Sequence, residues 1–567
     1  MLNISDLVKR VLPQDFLFPF FPRRYSDFMD EISPEDLYVG LLGYGLFADK
    51  LPPMFSSKSF ARHCMAQEPT CQKEPSNWIT FSYTRNTSAK REFGIPSPFA
   101  YEALIRHLSN KWTELRTILV NNTAFHPYRI SRIHIRRRKN TKSLFKMSYK
   151  SWQIEEDPLP TLLIGSRYVV ECDVSRCFPS IYTHALDWAI LGKERAKKNR
   201  RGGECKWSHD LDLLASNTTN GETHGLLVGP HASNLMAELI LTNVDKALFD
   251  QGYRFVRYID DYECFVDDEM KARAFVFDLE KELAVFGLST NQKKTDIKEL
   301  PRTLEDDWVR SLKEALSPKA VLDKSDLARF LDAAISIMRA FDNGAVLSYA
   351  FSMLAGCEMN YWARRHYGDV ALHLAYIYPY LLPFMEEKVF YVAKVPSKRI
   401  AIFSNLLYEK SLRERDYLSA AYAIYYALKF DFDLDHLGGA QGCDDLIASG
   451  DCILLVCAWV YAHRKKVDEM KAKLVEHAVS LADDEDDFQK NWLFIYEVLD
   501  VSLIPAYLNG AWRGLKRQGV SFIDTDGLGG HLKNEEEPID IVEALRERTS
   551  DETSNSDRLI EHITNEV

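Results

Sequence analysis

The feature that most constrains the fold is a short run at residues 254–266 with two acidic residues at its centre. Two β-prone stretches, 255–259 and 262–266, flank Asp260 and Asp261, and this pattern predicts a β-hairpin with both aspartates at its tip. A tight structural turn prefers Asn-Gly or Asp-Gly, whereas adjacent carboxylates repel each other by roughly 1 kcal/mol in water and by more near a protein interior. A divalent cation is the simplest counter-charge, so the tip predicts a metal site, with an exposed acidic turn as the alternative.

A second predicted strand supplies another carboxylate. The apolar run that begins at Tyr168 ends at Asp173. Three carboxylates around two Mg²⁺ ions, roughly 3.5–4 Å apart, are what two-metal nucleotidyl transfer requires, with one ion activating a 3′ hydroxyl and the other accompanying the pyrophosphate. The sequence therefore predicts the palm of a nucleotide polymerase in which Asp173, Asp260 and Asp261 hold Mg²⁺, with Mn²⁺ as a possible substitute.

At these residues the chain resembles the reverse transcriptases. The Tyr258-Ile259-Asp260-Asp261 box is similar to their catalytic hairpin, and the segment ending at Asp173 is similar to their first catalytic strand. Residues 225–238 are similar to their glycine-containing motif, which contacts the primer-template or the incoming nucleotide. Residues 287–295 are similar to their later loop, whose lysine approaches the triphosphate. The resemblance covers about 80–300.

The resemblance implies a role for each matching residue. Asp173 and Asp260 would bridge the two metals, and Asp261 would support the hydroxyl-activating ion. Lys294 would protonate or neutralise the pyrophosphate. The predicted nucleotide-binding residues are the aromatic gate against a 2′ hydroxyl, two basic residues of the fingers, and two residues of the glycine-containing motif: Phe178, Lys90, Arg91, Gly229 and Ser233.

A narrower group is also indicated. Intron-type and retron-type enzymes usually have Pro-Gln-Gly where this chain has Leu227-Val228-Gly229, and here the chain resembles the AbiK-type abortive-infection reverse transcriptases of bacteria. That group implies a cytoplasmic antiphage enzyme and homo-oligomer that adds dNTPs without a template. Its strand would start on a protein hydroxyl, so the single-stranded DNA product would be covalently attached. Tyr25, Tyr38 and Tyr44 are priming candidates by position only.

Composition restricts the kind of nucleic-acid contact. The formal net charge is −11, whereas proteins that bind long nucleic acids are usually basic, so any such contact must be local. Residues 129–150 hold nine Lys or Arg and no acid, with interleaved aromatics, as suits a surface that binds single-stranded nucleic acid; a solvated basic loop is the alternative.

No secretory signal or long apolar stretch is apparent, and the scattered cysteines suit a reducing cytosol, so we predict a cytoplasmic protein without a membrane partner.

We predict an α+β fold in which reverse-transcriptase-like fingers and palm (1–304) precede an all-α, helical-repeat-like domain (305–525). A short HEAT-like solenoid is one form that this second domain could take. Residues 526–567 are acid-rich and predict a flexible tail. Three alternatives remain open. They are an RNA-templated reverse transcriptase with a dedicated RNA, a catalytically idle palm whose helical domain binds a phage protein, and a nucleotide cyclase, whose glycine-rich turn is missing here.

Overall fold

The computed structural model describes residues 23–67, 74–85, 90–132, 135–137, 141, 143–144, 158–198, 205–303, 306–437 and 440–529. The chain is rich in helices, has small sheets, and divides into two compact units. The first unit comprises Met1–Phe81, Glu92–Leu304 and Lys473–Asp524. The second comprises Ser82–Arg91, Glu305–Ala472 and Thr525–Val567.

The elements up to residue 299 include the four-stranded sheet that carries the predicted carboxylates and a separate pair of strands, β1 and β2. The helices are α1 Tyr25–Asp30, α2 Pro34–Tyr44, α3 Lys58–Ala66, α4 Pro98–Asn110, α5 Trp112–Thr123, α6 Leu159–Leu163, α7 Cys177–Ser180, α8 His184–Leu191, α9 Lys193–Lys198, α10 Lys206–Asn217, α11 His231–Asp250 and α12 Glu269–Val285, with a 3₁₀ turn at Gln292–Lys294. The strands are β1 Ile79–Thr84, β2 Lys90–Ile95, β3 Tyr168–Asp173, β4 Phe255–Tyr258, β5 Asp261–Val266 and β6 Asp296–Glu299.

Strands β3 to β6 form an antiparallel sheet in the order β4-β5-β3-β6. Along the chain, α11 follows β3 and α12 follows β5, which gives the split β-α-β arrangement of ferredoxin-like folds. Helix α12 packs on β3 and β5, and α11 packs on α12. The alternating apolar residues of the strands, such as Val169, Val256 and Phe265, are buried. The sheet is therefore a rigid base for the residues at its ends.

The remaining elements are mostly helical, as predicted for this part of the chain. They are α13 Asp307–Ala315, β7 Val321–Leu322, α14 Lys324–Ala340, α15 Ala345–Leu354, β8 Glu358–Met359, α16 Tyr361–Ile377, α17 Leu382–Met385, α18 Ser397–Glu414, α19 Tyr417–Phe430, α20 Ala440–Ser449, α21 Cys452–Lys465, α22 Asp468–Ala482, α23 Glu485–Lys490, α24 Trp492–Val498 and α25 Ala511–Arg517. Short 3₁₀ or π turns occur at Pro379–Leu381, Glu386–Phe390 and Leu508–Gly510. Consecutive helices of the second unit pack on each other, including α14 with α15 and α18 with α19. A HEAT-like repeat stays a prediction.

The units divide the chain differently from the predicted boundaries at 305 and 525. Residues 473–524 belong to the first unit, because their aromatic side chains join its core. The Phe522 ring lies 5.5 Å from Phe60, and the Trp512 ring lies 4.9 Å from Phe99. All four side chains are buried. Helical periodicity alone does not distinguish this stretch from the helices before it.

The acid-rich tail predicted for 526–567 lies outside the described residues from position 530 onward. Within the part of the chain that the structure describes, no helix combines the length and the apolar character that crossing a bilayer requires.

Candidate active site

The sheet register brings two of the three predicted carboxylates face to face. In the antiparallel pair of β3 and β5, Asp173 lies directly opposite Asp261. Residues opposite each other in such a pair have Cβ atoms roughly 4.5–5.5 Å apart. The backbone N–H of Val174 donates to the Asp260 carbonyl at 3.1 Å, so β3 also fixes the hairpin turn.

The hairpin is present, but its turn differs by one residue from the prediction. Tyr258 pairs with Asp261, so the two turn residues are Ile259 and Asp260, and Asp261 is the first residue of β5. Ile259 has a φ of 59°, a left-handed conformation that is rare for a β-branched residue and costs roughly 1–2 kcal/mol. The Arg257 Nη1 donates to the Ile259 carbonyl at 2.6 Å. This bond opposes relaxation of the strained residue, and such strain is typical of functional sites.

Arg257 is itself held by a buried group of acids that the sequence did not reveal. Its guanidinium is fully buried, with Nη2 2.6 Å from Asp245 Oδ2 and 3.1 Å from Glu238 Oε2. Burial disfavours the Arg257 charge, but Asp245 and Glu238 keep its pKa well above the ordinary value. Glu238 also accepts hydrogen bonds from Tyr25 at 3.0 Å and Ser131 at 2.7 Å. We call these side chains the arginine network.

At the turn, the carboxyl of Asp261 lies close to other acids. Burial, the adjacent Asp260 and the facing Asp173 together raise the pKa of Asp261 to about 7, while Lys294 opposes the shift. A carboxyl with so high a pKa reports surplus negative charge in a partly desolvated place. Such groups are typical of catalytic or metal-binding sites.

Asp173 is oriented by the loop that carries Lys294. The Asn291 side-chain amide donates to Asp173 Oδ2 at 3.0 Å, and its backbone N–H donates to the Asp173 carbonyl at 2.7 Å. Lys294 Nζ lies 3.1 Å from Asp173 Oδ1, and the lysine side chain is 61% exposed. The structure thus brings Lys294 to the carboxylates. Asn291 belongs to the same sequence motif, but the motif alone assigned it no role.

The donor set suits a hard divalent cation, because Mg²⁺ and Mn²⁺ prefer carboxylate oxygens. As the side chains stand, no group of three or more His, Cys, Asp or Glu in the described ranges is arranged to hold a metal ion. At this site both oxygens of Asp173 are engaged, by Lys294 and Asn291. A metal there would replace the Lys294 charge beside Asp173, and the metal site stays a prediction.

The glycine-containing motif lies between two other predicted elements. Gly94 of β2 donates its N–H to the Val228 carbonyl, and Leu226 donates to the carbonyl of Phe178, which is half-buried in α7. Gly229 has a φ of 126°, and a Cβ there would lie 3.3 Å from the Gly94 carbonyl oxygen, so glycine suits both the conformation and the close approach.

The hydroxyl of Ser233 has a structural partner in this motif. It donates to the Leu227 carbonyl at 2.7 Å, so this side chain shapes the loop. A direct contact of Ser233 or Gly229 with nucleotide stays a prediction, as does the role of Phe178 as a gate.

Lys90 and Arg91 belong to the second unit, whereas the carboxylates belong to the first. Lys90 Nζ donates to the Arg415 carbonyl at 2.7 Å within that second unit. Phosphate binding by these two residues is untested.

The three tyrosines named by position differ in environment. Tyr25 is buried in the arginine network, and its pKa is raised by burial and by Glu238. Tyr38 donates to Glu102 at 2.7 Å. Tyr44 is half-buried, with Lys58 Nζ 5.4 Å from its ring centroid.

Of the basic segment 129–150, the structure describes Arg129, Arg132, Arg136 and Arg137, and the other five basic residues lie outside the described ranges.

No family model matches the chain, and neither does any curated protein. Among solved structures, apo telomerase from Candida tropicalis aligns at 10% identity and a TM-score of 0.30, over 74% of this chain and 73% of the telomerase. Candida albicans telomerase in complex with the TWJ fragment of telomeric RNA aligns at 11% identity and a TM-score of 0.26, over 75% of this chain and 67% of the telomerase.

A Candida tropicalis telomerase truncated from the C-terminal domain aligns at 12% identity and a TM-score of 0.26 over 44% of this chain. The chain spans about half of that protein's length, 55%. Similarity at this level establishes neither the fold nor the function of this chain.

Proposed function

We propose that the chain is a metal-dependent nucleotidyltransferase of the reverse-transcriptase type that polymerises dNTPs at Asp173, Asp260 and Asp261. One observation carries the proposal. Asp173 faces Asp261 across two paired strands beside the Ile259–Asp260 turn, and burial together with Asp260 and Asp173 raises the pKa of Asp261 to about 7.

The three aspartates are the residues that would hold Mg²⁺ or Mn²⁺. When bound, two such ions supply activation of the attacking hydroxyl and neutralisation of the departing pyrophosphate. The oxygen-only donor set favours these cations over zinc, which prefers nitrogen and sulfur.

The chain's own residues contribute positioning and charge. Asn291 fixes one oxygen of Asp173, and the sheet fixes the backbones of Asp173 and Asp261. The exposed Lys294 ammonium lies within reach of anionic groups at the same carboxylates, so it can neutralise a phosphate or give a proton to the leaving group. Such preorganised charge is commonly the largest single contribution to catalysis.

The narrower proposal is template-free synthesis from a protein hydroxyl, in a homo-oligomer that acts in abortive infection against phage. The motif at 225–238 and the net charge of −11 support it, because an acidic chain with one local basic segment is poorly suited to holding a long template. Tyr44 is the best of the three tyrosine candidates, because the Tyr25 hydroxyl is buried beside Glu238, and burial together with Glu102 raises the pKa of Tyr38 and disfavours its phenolate.

The deciding experiment supplies the purified chain with labelled dNTPs and Mg²⁺ and no template, followed by a denaturing gel. We expect the label to migrate with the protein as a smear that DNase removes and that a chelator prevents. Uptake only in the presence of a co-purifying RNA of one sequence would favour the templated enzyme instead. No uptake with either Mg²⁺ or Mn²⁺, with or without template, would make the palm a scaffold.

A further inference from the structure

The first unit carries a group of four rings that the proposed polymerisation does not use. Its members are Tyr182, His184, Trp188 and His224. The centroid of the Tyr182 ring lies 4.6 Å from that of His184 and 5.9 Å from that of Trp188. The His224 ring lies 6.4 Å from the same tyrosine. We call these four side chains the ring cluster.

The ring cluster lies at the surface of the unit. The His184 side chain is 43% exposed, His224 is exposed, and Tyr182 and Trp188 are half-buried. In the core of the same unit, by contrast, the ring of Trp112 is buried. The cluster therefore presents aromatic surface to solvent while the rest of each ring is anchored in the protein.

Hydrogen bonds between two helices hold the cluster in place. His184 Nδ1, on α8, is hydrogen-bonded to the carboxylate of Asp212, which lies on α10 and is 7% exposed. The Ser208 hydroxyl, also on α10, donates to Asp187 Oδ1 of α8 at 2.5 Å. A surface that is already ordered loses little conformational entropy when a ligand binds, which favours affinity.

The backbone connects the ring cluster to the candidate active site. Tyr182 and His224 form an antiparallel bridge between two segments. The same two segments meet again where Leu226 N–H donates to the Phe178 carbonyl at 2.9 Å. One segment starts at Asp173, and the other leads into the glycine-containing motif. The cluster is therefore built on the continuation of both predicted motifs.

Basic residues follow the ring cluster along the chain. Helix α9, which packs on α8, has four basic residues and one acid among its six residues. Lys197 and Lys198 are exposed, and Lys193 Nζ lies 4.4 Å from the centroid of the Trp188 ring. Surfaces that bind single-stranded nucleic acid combine such features, because the bases stack on aromatic rings while basic side chains attract the phosphates.

We propose that the ring cluster and α9 together bind single-stranded nucleic acid. The rings stack on unpaired bases, and Lys197 and Lys198 contact the phosphates. An acidic protein segment would satisfy the lysines but would have no bases to stack on the exposed rings. Binding at this surface needs neither the catalytic carboxylates nor a metal, so it can be tested separately from dNTP incorporation.

The test measures binding to the full chain in EDTA by fluorescence anisotropy. The labelled probes are oligothymidylate of about 12 nucleotides, a length that suits such surfaces, an abasic strand with the same number of phosphates, and polyglutamate. Tyr182→Leu and Trp188→Leu each remove a ring but keep apolar volume. The double variant Lys197→Gln with Lys198→Gln changes exposed side chains only. The matched control is Phe277→Leu, whose ring is 68% exposed on α12.

We expect oligothymidylate to bind about tenfold more tightly than the abasic strand, because stacking adds to the phosphate contacts. Tyr182→Leu and Trp188→Leu should each weaken oligothymidylate binding about fivefold or more and leave abasic binding unchanged. The lysine double variant should weaken the binding of both strands. Phe277→Leu should change neither affinity. Circular dichroism checks the fold of each variant, and the lysine variant tests the surface without disturbing packed rings.

Equal affinity for the two strands, or an oligothymidylate affinity unchanged in the folded ring variants, would overturn the proposal. Polyglutamate binding as tight as that of oligothymidylate would indicate an acidic protein partner and would also exclude it. Incorporation of dNTPs is measured separately with Mg²⁺. A protein that binds oligothymidylate through the ring cluster but incorporates no dNTP would exclude the polymerase and retain the binding surface.

Discussion

Two groups of acidic residues contact the same β-hairpin, and they differ in how their charge is balanced. In the arginine network, Glu238 and Asp245 surround the guanidinium of Arg257 with full burial. At the turn, the exposed Lys294 lies 3.1 Å from Asp173, and burial together with Asp260 and Asp173 raises the pKa of Asp261 to about 7. The first group is neutralised by a buried partner and maintains backbone geometry. In the second, the raised pKa of Asp261 shows that its negative charge is unfavourable, and a bound cation would offset it.

The largest expected effect is on activity, and it comes from replacing Asp260 and Asp261 at the hairpin. Asp260→Asn combined with Asp261→Asn should leave the fold intact and lower dNTP incorporation by a factor of about 10³ or more, because the metal-binding oxygens are lost. Incorporation of labelled dNTP measures this effect, and circular dichroism checks the fold. Asp296→Asn, an exposed acid on the neighbouring β6, is the matched control and should retain activity. Incorporation by the double variant at the wild-type rate would exclude this site.

Breaking the arginine network should mainly affect stability. Arg257→Met leaves Glu238 and Asp245 buried without their cation, so the free energy of unfolding should fall by roughly 3–5 kcal/mol. Urea unfolding measures it. Adding Asp245→Asn and Glu238→Gln removes the stranded charges and should recover part of the loss. If Arg257→Met were as stable as the wild type, the network would not hold the turn.

Replacing one carboxylate at the turn should stabilise the metal-free protein. The folded pKa of Asp261, about 7, lies above its unfolded value. The protonated Asp261 therefore stabilises the folded state relative to the ionised form. This contribution is fully present below about pH 4 and is lost as the pH rises through about 7. In EDTA at pH 8, Asp261→Asn should be more stable than the wild type by roughly 1–3 kcal/mol, and the difference should vanish near pH 4.

Thermal unfolding at the two pH values measures this difference. Mg²⁺ should stabilise the wild type at pH 8 and the variant less. If the variant were less stable than the wild type at pH 8, the inference that the Asp261 charge destabilises the metal-free protein would be wrong.

The smallest effect is expected from Tyr25→Phe. It removes one of several hydrogen bonds to Glu238, and the free energy of unfolding should fall by roughly 1 kcal/mol. Labelling of the protein by dNTPs should persist, because the buried hydroxyl is not expected to act as primer. Loss of the covalent label in a folded Tyr25→Phe protein would instead identify Tyr25 as the priming residue.

Local patterns were sufficient to predict the hairpin, the strand ending at Asp173 and the helical second half. Alternating apolar residues and well-placed acids encode these features over a few positions. The turn was displaced by one residue because its position depends on the long side chain of Arg257 holding Ile259 in a left-handed conformation. The position of Arg257 in turn depends on Asp245 and Glu238, which lie in helix α11. Pairings of this kind leave no periodic signal in a sequence.

The helical region is divided between the two compact units for a related reason. Residues 485–498 have the same helical periodicity as the helices before them, yet they contribute Trp492 to the core of the first unit, where its ring lies 4.9 Å from that of Phe522. Sequence periodicity predicts which face of a helix is buried, but not the partner that covers it. For the candidate site, the motif identified the acids and Lys294, whereas the role of Asn291 became evident only from its contact with Asp173.

The contribution of residues 473–524 to the first unit has a consequence for how the chain is made. During synthesis, Phe60 and Phe99 leave the ribosome at least 413 residues before Trp512 and Phe522, with which they share a core. The nascent chain must therefore carry uncovered apolar surface while the intervening residues are translated, a condition that favours help from chaperones. It also means that the unit carrying the carboxylates is completed only after residues 473–524 have emerged.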